Sequence, residues 1–180
     1  MTFDNPSLDP EGLPKVEHAP LTPVSRRLAP CQAVLRLIHW AFIVVVAWVF
    51  PVQHELLAEW QPWLAAAVAG LGVIIIAMGW VEARGRGYGL REHDLIYRRG
   101  LLVRRTQVLP LVRLQHVETL SNPVERAFGL VRLACFTAGG RGADLLLEGL
   151  SAERAEAVKR HLLTRLEALP SAISPKPDTP

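Results

Sequence analysis

Two long stretches of this chain carry no formally charged side chain, and they sit close together. The first runs from Leu37 to His54 and the second from Trp60 to Val81, with Glu55 and Glu59 as the charges between them. A helix needs about 20 mainly apolar residues to cross a hydrocarbon core roughly 30 Å thick. The pattern predicts two membrane spans, near 34–52 and 61–81. Arg36 and His39 fall near the start of the first, where snorkelling of Arg36 towards the headgroups makes the position tolerable. A buried helical hairpin in a soluble protein is the alternative, but the remaining chain would be hard pressed to cover so long a core.

After Val81 the pattern changes to short segments separated by turn signals. Gly85 and Gly87, Glu92 to Asp94, Gly100, Ser121 to Pro123, and the glycines at 139, 140 and 142 punctuate the chain. Between them Asp94–Arg98, Leu101–Val108, Leu130–Thr137 and Asp144–Glu148 are short and rich in branched or aromatic residues, which favours strands. Pro110 must end a strand or lie on an edge. The last element is different: Ser151 is a candidate N-cap, and Ala155, Val158, Leu162 and Leu166 recur at helical spacing. A run of strands closed by one amphipathic helix predicts a small α+β domain over 82–169, its helix packed on a curled sheet.

Charge sets the orientation. Arg26, Arg27 and Arg36 precede the first span and Arg84, Arg86 and Arg91 follow the second, whereas the loop between the spans has no Lys or Arg. The positive-inside rule then places both termini in the cytoplasm and the short loop outside. All five tryptophans lie in this hairpin, with Trp60, Trp63 and Trp80 at interface depths. The first apolar run begins after a proline-rich lead and lacks a cleavage signature, so it is read as an uncleaved anchor. Residues 1–32 are read as a disordered cytoplasmic tail and 170–180 as a second one, leaving 33–81 as the transmembrane hairpin.

The second span carries small residues at Ala65, Ala69, Gly72 and Gly79, which share a helical face where backbones can approach closely. Packing against the first span and contact with another membrane protein are both open. Residues 82–169 hold 15 Lys or Arg and 10 Asp or Glu. Arg98, Arg99, Arg104 and Arg105 flank the turn at Gly100, and an antiparallel hairpin would bring all four together. Beside a membrane they are candidate ligands for anionic lipid headgroups, at roughly 1 kcal/mol per residue. A solvated basic face is the plainer reading.

Catalytic chemistry has little support. Six histidines are scattered, none at the i, i+4 spacing of a helical zinc site, and Cys31 and Cys135 stand far apart. There is no nucleophile elbow, phosphate loop or dinucleotide fingerprint. The reading is therefore of a non-enzymatic protein with no cofactor, no metal and no nucleic-acid partner. Cys135 reads as a small core residue.

From Tyr88 to about Leu163 the residues resemble a known family. Tyr88-Gly-Leu90, Arg99-Gly100, Pro110-Leu-Val-Arg113-Leu-Gln115-His-Val117, Val124-Glu-Arg126-Ala-Phe-Gly129-Leu, and Phe136-Thr137-Ala138-Gly139-Gly140 follow one another in order, ending with Gly149-Leu-Ser. The chain is similar there to the pleckstrin-homology-like (bacterial PH) domain of YdbS-like membrane proteins. The resemblance implies a partly open seven-stranded barrel capped by the C-terminal helix. It also implies assembly with a larger membrane protein bearing similar domains, through the small-residue face, an open sheet edge, or both. Pro110, Arg113, Gln115, Arg126, Gly129, Thr137 and Gly139 belong to the family pattern. The polar ones are read as bonding groups at turns and strand ends, with a binding surface as the alternative.

Overall fold

The computed structural model describes residues 20–49, 59–138 and 142–168. Both apolar stretches are helices: α1 spans Leu28–Val49 and α2 spans Gln61–Arg84. They pack antiparallel, so that Trp40 lies against Gly72 and Arg36 against Gly79. Each helix extends past the predicted span at the end nearer the domain. Pro30 is accommodated in the first turn of α1, where a missing N–H leaves no intrahelical bond unmade. The outer faces present Leu37, Ile38, Phe42, Trp48, Trp63, Val73 and Val81 uncovered, an apolar surface suited to lipid.

Among the described residues, seven strands follow the predicted α+β plan, in two antiparallel sheets. The first has the order β1 (Thr22–Pro23), β2 (Gly87–Leu90), β3 (Asp94–Arg99) and β4 (Arg105–Pro110). A single 3-10 turn, Leu111–Arg113, leads to the second sheet, formed by β5 (Leu114–Leu120), β6 (Leu130–Thr137) and β7 (Leu145–Ser151). A short helix, α3 (Pro123–Ala127), joins β5 to β6, and α4 (Ala152–Ala168) closes the domain. Ala155, Val158 and Leu162 of α4 are buried on the sheets, as their spacing predicts, and the Arg154 N–H donates to Ser151 Oγ at 3.4 Å. Pro110 ends an edge strand.

Two expectations are corrected. The disordered tail was placed over 1–32; its first 19 residues lie outside the described ones, as does 170–180, but 20–32 is built into the domain. Thr22 and Pro23 pair with Tyr88 and Gly87. The Val24 N–H donates to the Arg86 carbonyl and the Ser25 N–H to the Gly149 carbonyl of β7 at 2.8 Å. This strap links the two sheets, and Val24, Leu28, Ala29 and Cys31 join the core around Leu95, Tyr97, Leu133, Leu147 and Leu150. One of the seven strands thus comes from upstream of the membrane helices. The physical reason is burial: four small or apolar side chains leave water, and the Val24 and Ser25 N–H groups find carbonyls on the two sheets.

The second correction concerns Leu101–Arg104, which were expected to lie in a strand. They form the turn between β3 and β4 instead. Gly100 has φ +105°, and a side chain there would collide with the Val103 carbonyl oxygen. A tight reversal of this hand requires glycine.

Candidate membrane-surface site

The junction between α2 and the domain is built on charge. Arg86, only 8% exposed, donates from Nε and Nη2 to the Glu82 carboxylate at 2.7–3.0 Å and from Nη1 to Glu148 of β7. One guanidinium therefore ties the last turn of a membrane helix to the far sheet. Burial works against the Arg86 charge, but its hydrogen bonds to Glu82 and the nearby Glu148 outweigh it and hold its pKa above the ordinary value. Tyr97, wholly buried alongside, has its phenol pushed up by burial. The same Glu82 accepts the Gly100 N–H at 3.0 Å. The Glu82 carboxylate, itself held by the Arg86 fork, thus fixes the β3–β4 hairpin against α2 through one backbone bond.

That anchorage positions the four arginines. Arg99 stands opposite Arg105 and Arg98 opposite Thr106 in the ladder, with Arg104 in the turn. Arg104 and Arg105 are exposed, whereas Arg98 and Arg99 are half-buried. A cleft of about 330 Å³ between hairpin and helix is walled by Val81, Glu82, Gly85, Arg98, Gly100 and Arg104 among others. Arg98 and Arg104 line this cleft, and Arg99 and Arg105 face each other across the ladder at the same end of the hairpin. Arg84 stacks 5.3 Å over the Trp80 ring and lines a separate cavity with Pro23 to Arg26 of the strap.

The small-residue face is largely occupied by α1. Ala65, Gly72 and Gly79 are buried, the Trp40 ring lies about 3.1 Å from where a Gly72 Cβ would stand, and the Arg36 guanidinium fills the space over Gly79. Ala69 departs from the predicted face and is exposed. Of the two readings of this face, intramolecular packing accounts for three of its four residues.

The family-pattern residues do not converge on one site. Arg113, Gln115 and Arg126 are exposed on separate elements, with Gln115 beside the register shift in β5. Thr137 bonds Asp144 through both N–H (2.8 Å) and Oγ1 (2.7 Å), which holds the Asp144 carboxyl below the usual carboxylate range. Gly129 has φ +67° at the end of α3, and Gly139 lies outside the described residues. The Asn122–Pro123 turn opens α3 with reciprocal capping: the Asn122 side chain accepts from the Glu125 N–H and the Glu125 carboxylate accepts from the Asn122 N–H. Glu125 also pairs with Arg132 at 3.1 Å. The Glu82–Arg86–Glu148 network went unread in the sequence. Its only local signal is an i, i+4 Glu–Arg pair at the end of an apolar run.

Comparison with known proteins now decides the family. Residues 33–166 match the bacterial PH domain. The chain belongs to the bacterial PH domain family. The match takes in most of α1, all of α2 and strands β2 to β7, and begins after β1. A curated relative, the UPF0699 transmembrane protein YdbT of Bacillus subtilis (strain 168), is 25% identical over 139 residues. That alignment covers 74% of this chain but 28% of the relative, so the bacterial PH chain described here spans little more than a quarter of YdbT's length. No solved structure matches. A membrane protein with two spans and a bacterial PH domain is what sequence, fold and relatives agree on.

Proposed function

We propose that this chain is a non-enzymatic protein of the bacterial cytoplasmic membrane, with both termini in the cytoplasm, whose PH domain docks a larger membrane protein carrying similar domains. The observation that carries the reading is the outer edge of β4. Among the described residues β4 pairs only with β3, and Val108 and Val112 beside that edge are exposed. An unpaired edge flanked by apolar side chains accepts an added strand, with ladder bonds giving affinity and side-chain pockets specificity. The much longer YdbT supports a setting in which such units work within larger membrane proteins. The orientation rests on arginines: the start of α1 and the end of α2 lie together, and Arg26, Arg27, Arg36, Arg84 and Arg86 gather there. A photo-crosslinking residue at Val108 is expected to yield an adduct in cells with a membrane protein bearing PH domains, and one at Glu156 on α4 is not. Absence of a protein adduct at Val108 would remove the edge as the docking site.

The basic hairpin favours a second reading, a sensor of anionic lipid. Arg98, Arg99, Arg104 and Arg105 stand at the membrane end of the domain, and each could contribute about 1 kcal/mol near an anionic surface. The test uses the full chain in nanodiscs of graded phosphatidylglycerol content. Amide exchange of β3–β4 should slow as the anionic fraction rises, and the effect should fade with salt. Changing all four arginines to Gln should abolish it. Exchange indifferent to lipid charge would exclude the sensor.

A further inference from the structure

The tip of the β3–β4 hairpin is apolar, although turns on water-facing domains favour Gly, Asn, Asp, Ser and Pro. Leu102 is 82% exposed and Val103 70%, with Leu101 partly so. The tip does not point away from the membrane helices. The Gly100 N–H is held by Glu82, and beyond that bond a cleft of about 320 Å³ is walled by Leu101 and Leu102 together with Ile75, Met78 and Gly79 of α2 and Arg36 of α1. Ile75 lies seven residues from Glu82 towards the middle of the span, roughly 10 Å along the helix axis. The tip therefore runs back beside the apolar part of α2.

We infer that the β3–β4 tip is embedded in the bilayer leaflet on the domain side, with Leu101, Leu102 and Val103 among acyl chains and Arg99, Arg104 and Arg105 at headgroup level. The occupant of this apolar surface is lipid because α2, itself a membrane span, fixes the depth at which the surface lies. Charge agrees with that depth: the arginines cluster at the base of the tip, where phosphates are found, and their stems can reach up from below. Arg36, whose guanidinium packs over Gly79, forms part of the same wall. The hairpin acts as a third, shallow membrane contact that fixes the tilt of the domain and leaves the β4 edge facing the cytoplasm. This holds whether or not the arginines select among lipids, and independently of any protein partner.

The test uses the full chain reconstituted into vesicles of phosphatidylcholine and phosphatidylglycerol. Nitroxide labels are placed singly through Leu102→Cys and Val103→Cys, with Val73→Cys on the outer face of α2 and Val112→Cys as references. Val112 follows β4, a six-residue strand that carries the chain away from the tip. The two native cysteines are buried, and wild-type labelling gives the background. Collision rates with oxygen and with a water-soluble nickel chelate report depth. Labels at 102 and 103 should match the oxygen-favoured behaviour of 73 and differ from the nickel-favoured behaviour of 112. Nickel-favoured behaviour at both would overturn the inference, and so would shielding from both reagents, which would mean that protein covers the tip.

Discussion

Arg86 joins a membrane helix to the far sheet through a single guanidinium. Buried and shared between Glu82 and Glu148, it keeps two carboxylates satisfied where a membrane helix meets a sheet. Removing one member of a buried charge network is costlier than never having built it, because the remaining charges stay unpaired. Arg86→Met should therefore destabilise the chain by about 3 kcal/mol, towards the lower end of that class because both carboxylates keep some solvent. A lowered thermal midpoint in nanodiscs, insensitive to moderate salt, is the expected observation. Cys135 acts at the opposite extreme of pH. Burial pushes its thiol up to about 11, so the folded protein retains a proton there that the unfolded chain releases near its ordinary value. Its contribution is intact below the ordinary thiol pKa and is lost as pH rises towards 11, with the raised Tyr97 phenol acting in the same sense. In the folded chain neither cysteine should react with a thiol reagent at pH 8, and Cys135→Ala should flatten the alkaline loss of stability.

At the scale of elements, the N-terminal strap matters most. Leu28 is 3% exposed and packs with Val24, Ala29 and Cys31 into a core whose other fully buried members lie beyond 82. Leu28→Ala should cost about 2–5 kcal/mol, the range for an emptied core leucine, measured by thermal or denaturant unfolding of the full chain. An effect under a few tenths would place the strap outside the core. What could be read in the sequence depended on whether a signal was local. The spans declared themselves through absence of charge, α4 through Ala155, Val158, Leu162 and Leu166, and β6 through its branched and aromatic run. The strap did not, because six prolines and near-balanced charge over the first 30 residues resemble an unfolded lead, and two residues of strand have no period to detect. The partner that orders it, β2, lies more than 60 residues downstream. Arg98, Arg99, Arg104 and Arg105 were legible as a cluster because a hairpin is local. The apolar tip between them was not, since Leu-Leu-Val followed by Arg reads as strand until Gly100 is seen to reverse the chain. The Glu148 arm of the Arg86 network needed the tertiary fold.

For the molecule as a whole, membrane helices and PH domain form a continuous body rather than a domain on a tether. Three links join them: the strap before α1, the Glu82–Arg86–Glu148 network after α2, and the hairpin fastened to Glu82 through Gly100. A fragment limited to 82–169 lacks Val24, Leu28, Ala29 and Cys31, and it should show broad, low-temperature unfolding where the full chain melts cooperatively. Being fixed in place suits a docking role, since a partner in the same membrane would meet the β4 edge at a set height and angle, without the entropy of orienting a loose module. The most direct measurement of this unity is amide hydrogen exchange of the full chain in nanodiscs, read at Val24 and Ser25. Their N–H groups bond the Arg86 and Gly149 carbonyls, so both should exchange as slowly as the neighbouring amides of β2 and β7. Exchange at the rate of an unstructured lead would contradict it, leaving the domain closed by its own strands alone and free to move beneath the membrane.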